Sequence, residues 1–236
     1  MPTLALAPGV TQIPLGSRVN VFAVAGDDGL TLVDAGMGRK APGQVLDALA
    51  GLGHRPSDVR RIVLTHAHPD HVQAVPELRR ATGAKVLIHE GDAGWLPVGR
   101  VPAGQRSTRA GSLLDRLPLV HWTPFEADGL LADGAVIEGS GGLRVLHTPG
   151  HTPGHVVLFH EPGRTALVGD AVFHRGALSY GPEAMAADPA RRPAGAARVP
   201  AETAVVGFSH GTAITGSTGG TGGTGIEEFH TFLGRR

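Results

Sequence analysis

The chain reads as an α/β protein built from many short elements. Three observations say so. Short apolar runs of β type recur along its 236 residues. Helical spacing fills several of the intervals between them. Gly 36 and Pro 18 are both abundant, and they fall at the joints, where tight turns need them. Apolar residues make up 41%, enough for one sizeable core at this length, so a single domain is expected.

In order, the runs 19–24 and 30–33 are β-like and are separated by Gly26-Asp27-Asp28-Gly29, a hairpin signal. Residues 44–52 have helical spacing, and Gly53 is a stop. Residues 61–64 read as a buried strand, 73–80 as a helix and 85–89 as another strand. Residues 91–127 are less regular. They hold Trp95, Trp122, Arg100, Arg106, Arg109 and Arg116, and we read them as an insertion or lid with some helix at 112–117. Its arginines read as a solvated face, its tryptophans as packing beneath their own loop. Strand signals return at 136–137, 143–147, 156–159, 166–168 and 204–206. Residues 181–200 read as loop plus a short helix, the Gly/Thr tract 215–225 as a flexible loop, and 226–233 as a closing helix.

Composition narrows the function. Lys+Arg 21 balances Asp+Glu 21, so no net field draws nucleic acid or an anionic membrane. A small-molecule substrate is the expected partner; the oligomeric state is not encoded in any pattern. Cysteine is absent, which removes thiol nucleophiles and thiolate ligands. The proline-broken N-terminus is a poor signal peptide, and no run approaches the ~20 apolar residues of a membrane span. A cytoplasmic location is expected.

The densest signal is Thr65-His66-Ala67-His68-Pro69-Asp70-His71. A strand that ends in a ligand-rich loop presents metal ligands on a rigid support. Asp34, His151, Asp170 and His210 likewise follow β runs within a few residues. If those strands lie side by side, the polar groups converge on one edge. Of the other histidines, His147 and His155 flank His151 and shape its loop. His54, His89, His121, His160 and His230 read as surface or structural.

The order His66-x-His68-x-Asp70-His71, His151, Asp170, His210 resembles the metallo-β-lactamase superfamily, over nearly the whole chain from Val19 to the final helix. The resemblance implies a four-layer αββα sandwich with a metal site at one edge. His66, His68 and His151 would hold the first of two divalent cations. Asp70, His71 and His210 would hold the second. Asp170 would bridge them, and Asp34 would support the loop from behind. Zinc suits imidazole and carboxylate donors, and iron or manganese would fit the same set. The implied chemistry is water activated at the metals, attacking a small ester, thioester or lactone. Asp70 would be the catalytic residue, orienting the nucleophile or carrying a proton to the leaving group. Phe173 and His174, just past Asp170, are the candidate substrate contacts.

Departures from the family pattern refine this. Lactam-hydrolysing members usually lack the bridging aspartate, so Asp170 argues against a β-lactamase. Lactonases typically carry tyrosine where this chain has Phe173. Glyoxalase II-like thioesterases share the Thr-Pro-Gly-His and Gly-Asp blocks, and that branch is the expected one, although this chain lacks their longer helical C-terminal region. After Val72, Gln73-Ala74 stands where the family usually has a pair of small glycines, His-x-Gly-Gly. The competing readings are a mononuclear iron oxidoreductase of the persulfide dioxygenase type, or a phosphodiesterase or β-lactam hydrolase on the same fold. Neutral charge and short length count against a nuclease.

Overall fold

The computed structural model describes residues 2–216 and 225–235. Most of the Gly/Thr tract therefore lies outside the described residues. The first sheet holds β1 (Leu4–Ala7), β2 (Val10–Leu15), β3 (Val19–Ala25), β4 (Leu30–Val33), β5 (Val59–Val63), β6 (Lys85–His89) and β7 (Gly129–Leu131), in that spatial order. Its first four strands run antiparallel, and β4 to β7 run parallel. Further along come β8 (Leu143–His147), β9 (Val156–His160), β10 (Thr165–Leu167), a small hairpin of β11 (Phe173–His174) and β12 (Leu178–Ser179), and β13 (Val205–Gly207). The second sheet has the order β13-β10-β9-β8, with β10 and β13 parallel.

The helices are α1 (Ala41–Gly51), α2 (Pro69–Val72), α3 (Val75–Thr82), α4 (Glu90–Ala93), α5 (Arg109–Leu114), α6 (Arg192–Ala196) and α7 (Ile226–Phe232). Val45 and Leu49 of α1 and Val75 and Leu78 of α3 pack on Val21, Leu32 and Ile62 of the first sheet. Ala196 of α6 and Phe229 of α7 cover Val157, Phe159 and Val206 of the second. Between the sheets lie Phe22, Val24, Val33, Val63, Val145, Leu158 and Leu167. The result is a four-layer αββα sandwich.

The strand sequences explain the layering. Side chains alternate between faces, so Val21 points to the helices while Phe22 points to the facing sheet. Because both faces are covered, such strands read as continuous apolar runs rather than apolar–polar alternation. Each fully buried side chain of this kind contributes ~1.5–3 kcal/mol.

Several boundaries differ from expectation. The helix expected at 73–80 is α3, which starts two residues later, at Val75, and a separate turn of helix, α2, lies in the stretch read as the ligand loop. Pro76 explains the later start: without an N–H it fits only the first turn, so a new helix starts just before it. Residues 136–137 form no strand; Val136 makes one isolated bridge to Arg144. Strands β1 and β2 have no counterpart among the expected elements, because prolines in that stretch look like breaks. Pro14 pairs with Asn20 of β3 but lies past the last β1 partner, Gln12. A missing N–H is tolerated at such an unflanked position.

Candidate metal centre

Parallel pairing puts strand ends of like polarity at the same edge. Asp34 follows β4, Thr65 to His71 follow β5, Asp170 follows β10 and His210 follows β13. His151 sits in the turn between β8 and β9. His66 and His68 alternate on extended chain; one turn of α2, begun by Pro69, then adds Asp70 and His71. Gly169 permits the approach of the Asp170 loop. Its φ is +54°, and a Cβ there would lie 2.7 Å from His155 Nε2.

The seven residues form two groups, His66, His68, His151 and Asp170 in one and Asp70, His71 and His210 in the other. In the first, His68 Nδ1 lies 3.0 Å from His66 Nε2 and 2.8 Å from His151 Nε2. Asp170 faces both groups. Its Oδ2 is 3.2 Å from His151 Nε2, while its Oδ1 is 3.3 Å from both His71 Nε2 and His210 Nε2. Asp70 Oδ2 is 3.2 Å from His210 Nε2. All seven are buried except Asp70, which is partly exposed.

The surroundings decide which nitrogen faces inward. Thr65 Oγ1 donates to Asp34 at 2.9 Å and lies 3.0 Å from His66 Nδ1, so that nitrogen is the donor. His71 Nδ1 donates to Asp34 Oδ2 at 2.8 Å. His210 Nδ1 donates to the Arg18 carbonyl at 2.6 Å. In each case the outer N–H is taken, which leaves Nε2 turned toward the carboxylates or a neighbouring ring. Asp34 is fully buried, has φ 64°, and also accepts from Thr65 N at 2.8 Å. Aspartate tolerates this left-handed backbone better than most residues. His155 Nε2 accepts from Asp170 N at 2.9 Å, which fixes the loop that bears the shared carboxylate. Across the sandwich, Asn20 Nδ2 of β3 donates to the Phe208 and Gly211 carbonyls at 2.8 and 3.0 Å, and so holds the His210 loop.

Electrostatics separates the groups. Burial pushes His66, His68 and His155 well below the ordinary histidine range. Burial also acts on His71, but Asp34, Asp70 and Asp170 outweigh it and hold the ring protonated well above that range. His210 is likewise raised against burial, chiefly by Asp170. Burial opposes ionisation of Asp70 and Asp170, yet the neighbouring histidines keep Asp70 below and Asp170 well below the usual carboxylate range. The carboxylates thus make the second group the one that favours positive charge. His71 Nε2 and Asp170 Oδ1 are buried without a hydrogen-bond partner. Converging imidazoles, anionic oxygens and these two orphaned atoms fit a divalent cation.

Phe173 and His174 part company, as neighbours on a strand must. Phe173 stacks on His210, centroids 4.9 Å apart at 6°. His174 turns away, its Nδ1 2.6 Å from the Thr212 carbonyl, and is not brought to the clusters. Arg106, expected from the sequence to be solvated, is buried. It pairs with Asp115 at 2.8 Å and reaches His68 Nε2 at 2.8 Å. Only an acidic partner nine residues away could have hinted at this.

A model of the metallo-beta-lactamase superfamily matches residues 15–210. The chain belongs to the metallo-beta-lactamase superfamily. Among curated members, a hydroxyacylglutathione hydrolase of Fuscovulum blasticum is 37% identical over 152 residues, 61% of this chain and 48% of that protein. The probable metallo-hydrolase YflN of Bacillus subtilis (strain 168) is 31% identical over 147 residues, 60% of this chain and 54% of that one. The chain thus spans about half the length of these curated relatives. BJP-1, a subclass B3 metallo-beta-lactamase of Bradyrhizobium japonicum, superposes with a TM-score of 0.69 at 22% identity, covering 89% of this chain and 78% of that chain. That likeness establishes the fold alone. Among the described residues no helix is long and apolar enough to cross a membrane.

Proposed function

We propose that the protein is a binuclear metal-dependent hydrolase of small esters, thioesters or lactones, on the glyoxalase II-like side of the family. One observation carries the reading: the Asp170 carboxylate turns one oxygen to each cluster. His66, His68 and His151 would hold one cation, Asp70, His71 and His210 the other, and Asp170 both. Zinc is the metal this donor set favours, with iron or manganese also compatible. Two such cations, when bound, acidify a water and polarise a carbonyl oxygen.

The chain's own residues supply the rest. Asp34, Thr65 and the Arg18 carbonyl fix the tautomers of His71, His66 and His210, so those three rings are oriented before substrate arrives. Asp70, the partly exposed member, would orient the attacking water and hold its proton for the leaving group. Phe173, stacked on His210, offers an apolar wall to an acyl group. Residues 91–127 are read as the lid that selects the substrate, with buried Arg106 tying that segment to His68. The hydroxyacylglutathione hydrolase relative favours a thioester over other carbonyl substrates.

Elemental analysis with a panel of ester, thioester, lactone, lactam and phosphodiester substrates tests the proposal. Two equivalents of metal and thioester or ester turnover are expected, with Asp70→Asn lowering kcat by about 100-fold or more. One iron per chain with oxygen uptake would instead identify a mononuclear oxidoreductase.

A further inference from the structure

A fully buried carboxylate lies outside both clusters. Asp92, on α4 just after β6, has no solvent exposure. Its Oδ2 accepts from Ala67 N at 2.9 Å and from Thr152 Oγ1 at 2.6 Å, and its Oδ1 accepts from Gly154 N at 2.7 Å. Among the described residues no arginine or lysine pairs with it, so these three donors supply the hydrogen bonds that compensate its burial. A buried charge satisfied in this way is costly to place and to disturb.

The donors are not scattered. Ala67 lies between His66 and His68, and Thr152 follows His151 directly. One carboxylate therefore fastens the loop after β5 to the loop before β9. His68 and His151, which meet at 2.8 Å, are 83 positions apart in sequence. The approach is tight. A Cβ on Gly154 would lie 2.5 Å from Asp92 N, and one on Gly91 would lie 2.8 Å from Gly154 Cα. No hydrogen bond of Asp92 reaches Asp70, His71 or His210; there the corresponding support is Asp34, through His71.

We propose that Asp92 is a positioning residue specific to the first cluster: it sets the spacing of His66, His68 and His151, and hence the affinity of that cluster alone. The proposal rests on the two-metal reading above.

The test uses the full chain in two backgrounds. His210→Ala leaves the first cluster intact, and His151→Ala leaves the second. In each, Zn2+ affinity is measured by competition with a chromophoric chelator, the Co2+ ligand-field spectrum is recorded, and circular dichroism reports folding. Asp92→Asn should weaken Zn2+ binding about 10–100-fold in the His210→Ala background and alter its Co2+ spectrum. In the His151→Ala background it should change affinity by less than about two-fold, a separation that general destabilisation would not produce. Thr152→Val removes one donor and should weaken the first cluster in the same direction; Thr152→Ser should restore it. If Asp92→Asn does not fold, the Thr152 pair decides. Equal losses in both backgrounds, or none in either, overturn the proposal. If the parent protein takes up only one equivalent of Zn2+, the two-metal reading fails, and the clamp is judged on whether Asp92→Asn weakens that one equivalent.

Discussion

Asp34→Asn is the sharpest test of how the imidazoles are oriented. The substitution keeps the shape and the tolerance for φ 64°. It replaces an oxygen that can only accept by an amide N–H. Asp34 accepts from Thr65 N at 2.8 Å, from Thr65 Oγ1 at 2.9 Å and from His71 Nδ1 at 2.8 Å. Turned one way, the new amide N–H faces His71 Nδ1; turned the other, it faces Thr65 N–H. Only the first clash can be relieved, by taking the proton from His71 Nδ1, which leaves the neutral ring its one proton on Nε2. That nitrogen lies 3.3 Å from Asp170 Oδ1 and belongs to the second cluster. A protonated Nε2 cannot hold a cation. The second cluster should therefore lose about 100-fold in Zn2+ affinity, or ~2.7 kcal/mol at 1.36 kcal/mol per decade. The lost charge-assisted bond should lower metal-free stability by ~2 kcal/mol, a drop in Tm of roughly 4–8 °C at this chain length. Competition titration and thermal melts of the metal-free variant read both quantities. Second-cluster affinity within about three-fold of the parent would refute the tautomer argument.

Two further outcomes follow from the same geometry. In the metal-free protein the neighbouring carboxylates favour protons on His71 and His210, and burial disfavours them on His66 and His68. A cation entering the second cluster must displace those protons. Its affinity should fall as pH drops through the raised ranges of His71 and His210, approaching ten-fold per unit per proton displaced, and at higher pH than any proton competition from His66 and His68 in the first cluster. Calorimetry in two buffers of different ionisation enthalpy measures the proton release; loss of the first cluster before the second would contradict the assignment. Arg106→Met alone strands Asp115 in a buried setting and should cost ~3–5 kcal/mol in urea unfolding, whereas adding Asp115→Leu should recover most of it. A double variant no more stable than the single one would show that the pair is not buried in solution.

Much of the clustering was legible because each of these histidines and aspartates follows a β run at a fixed joint. Residues 30–33 and 85–89 match their strands to the residue, since apolar strands covered on both faces announce themselves. What stayed hidden depended on distant neighbours. Strand β2 carries Pro14, which looks like a breaker until its unflanked place in the sheet is known. Arg106 looks like any surface arginine until Asp115 and His68 enclose it. Asp92 looks like an ordinary acid in the first turn of a helix. Nothing in its local sequence says that Ala67, Thr152 and Gly154 will all donate to it.

The bonds from Asn20 to the Phe208 and Gly211 carbonyls span 188 and 191 positions. Contacts of that span close late in folding, because the loop entropy of joining the ends comes before any reward. The segment from His66 to His71 lies close together in sequence and can take shape early. His210 cannot be seated until the first and last parts of the chain have docked. On that ordering, a chain still folding would present His66 to His71 before His210. The order in which the fold closes is the order in which the site becomes whole.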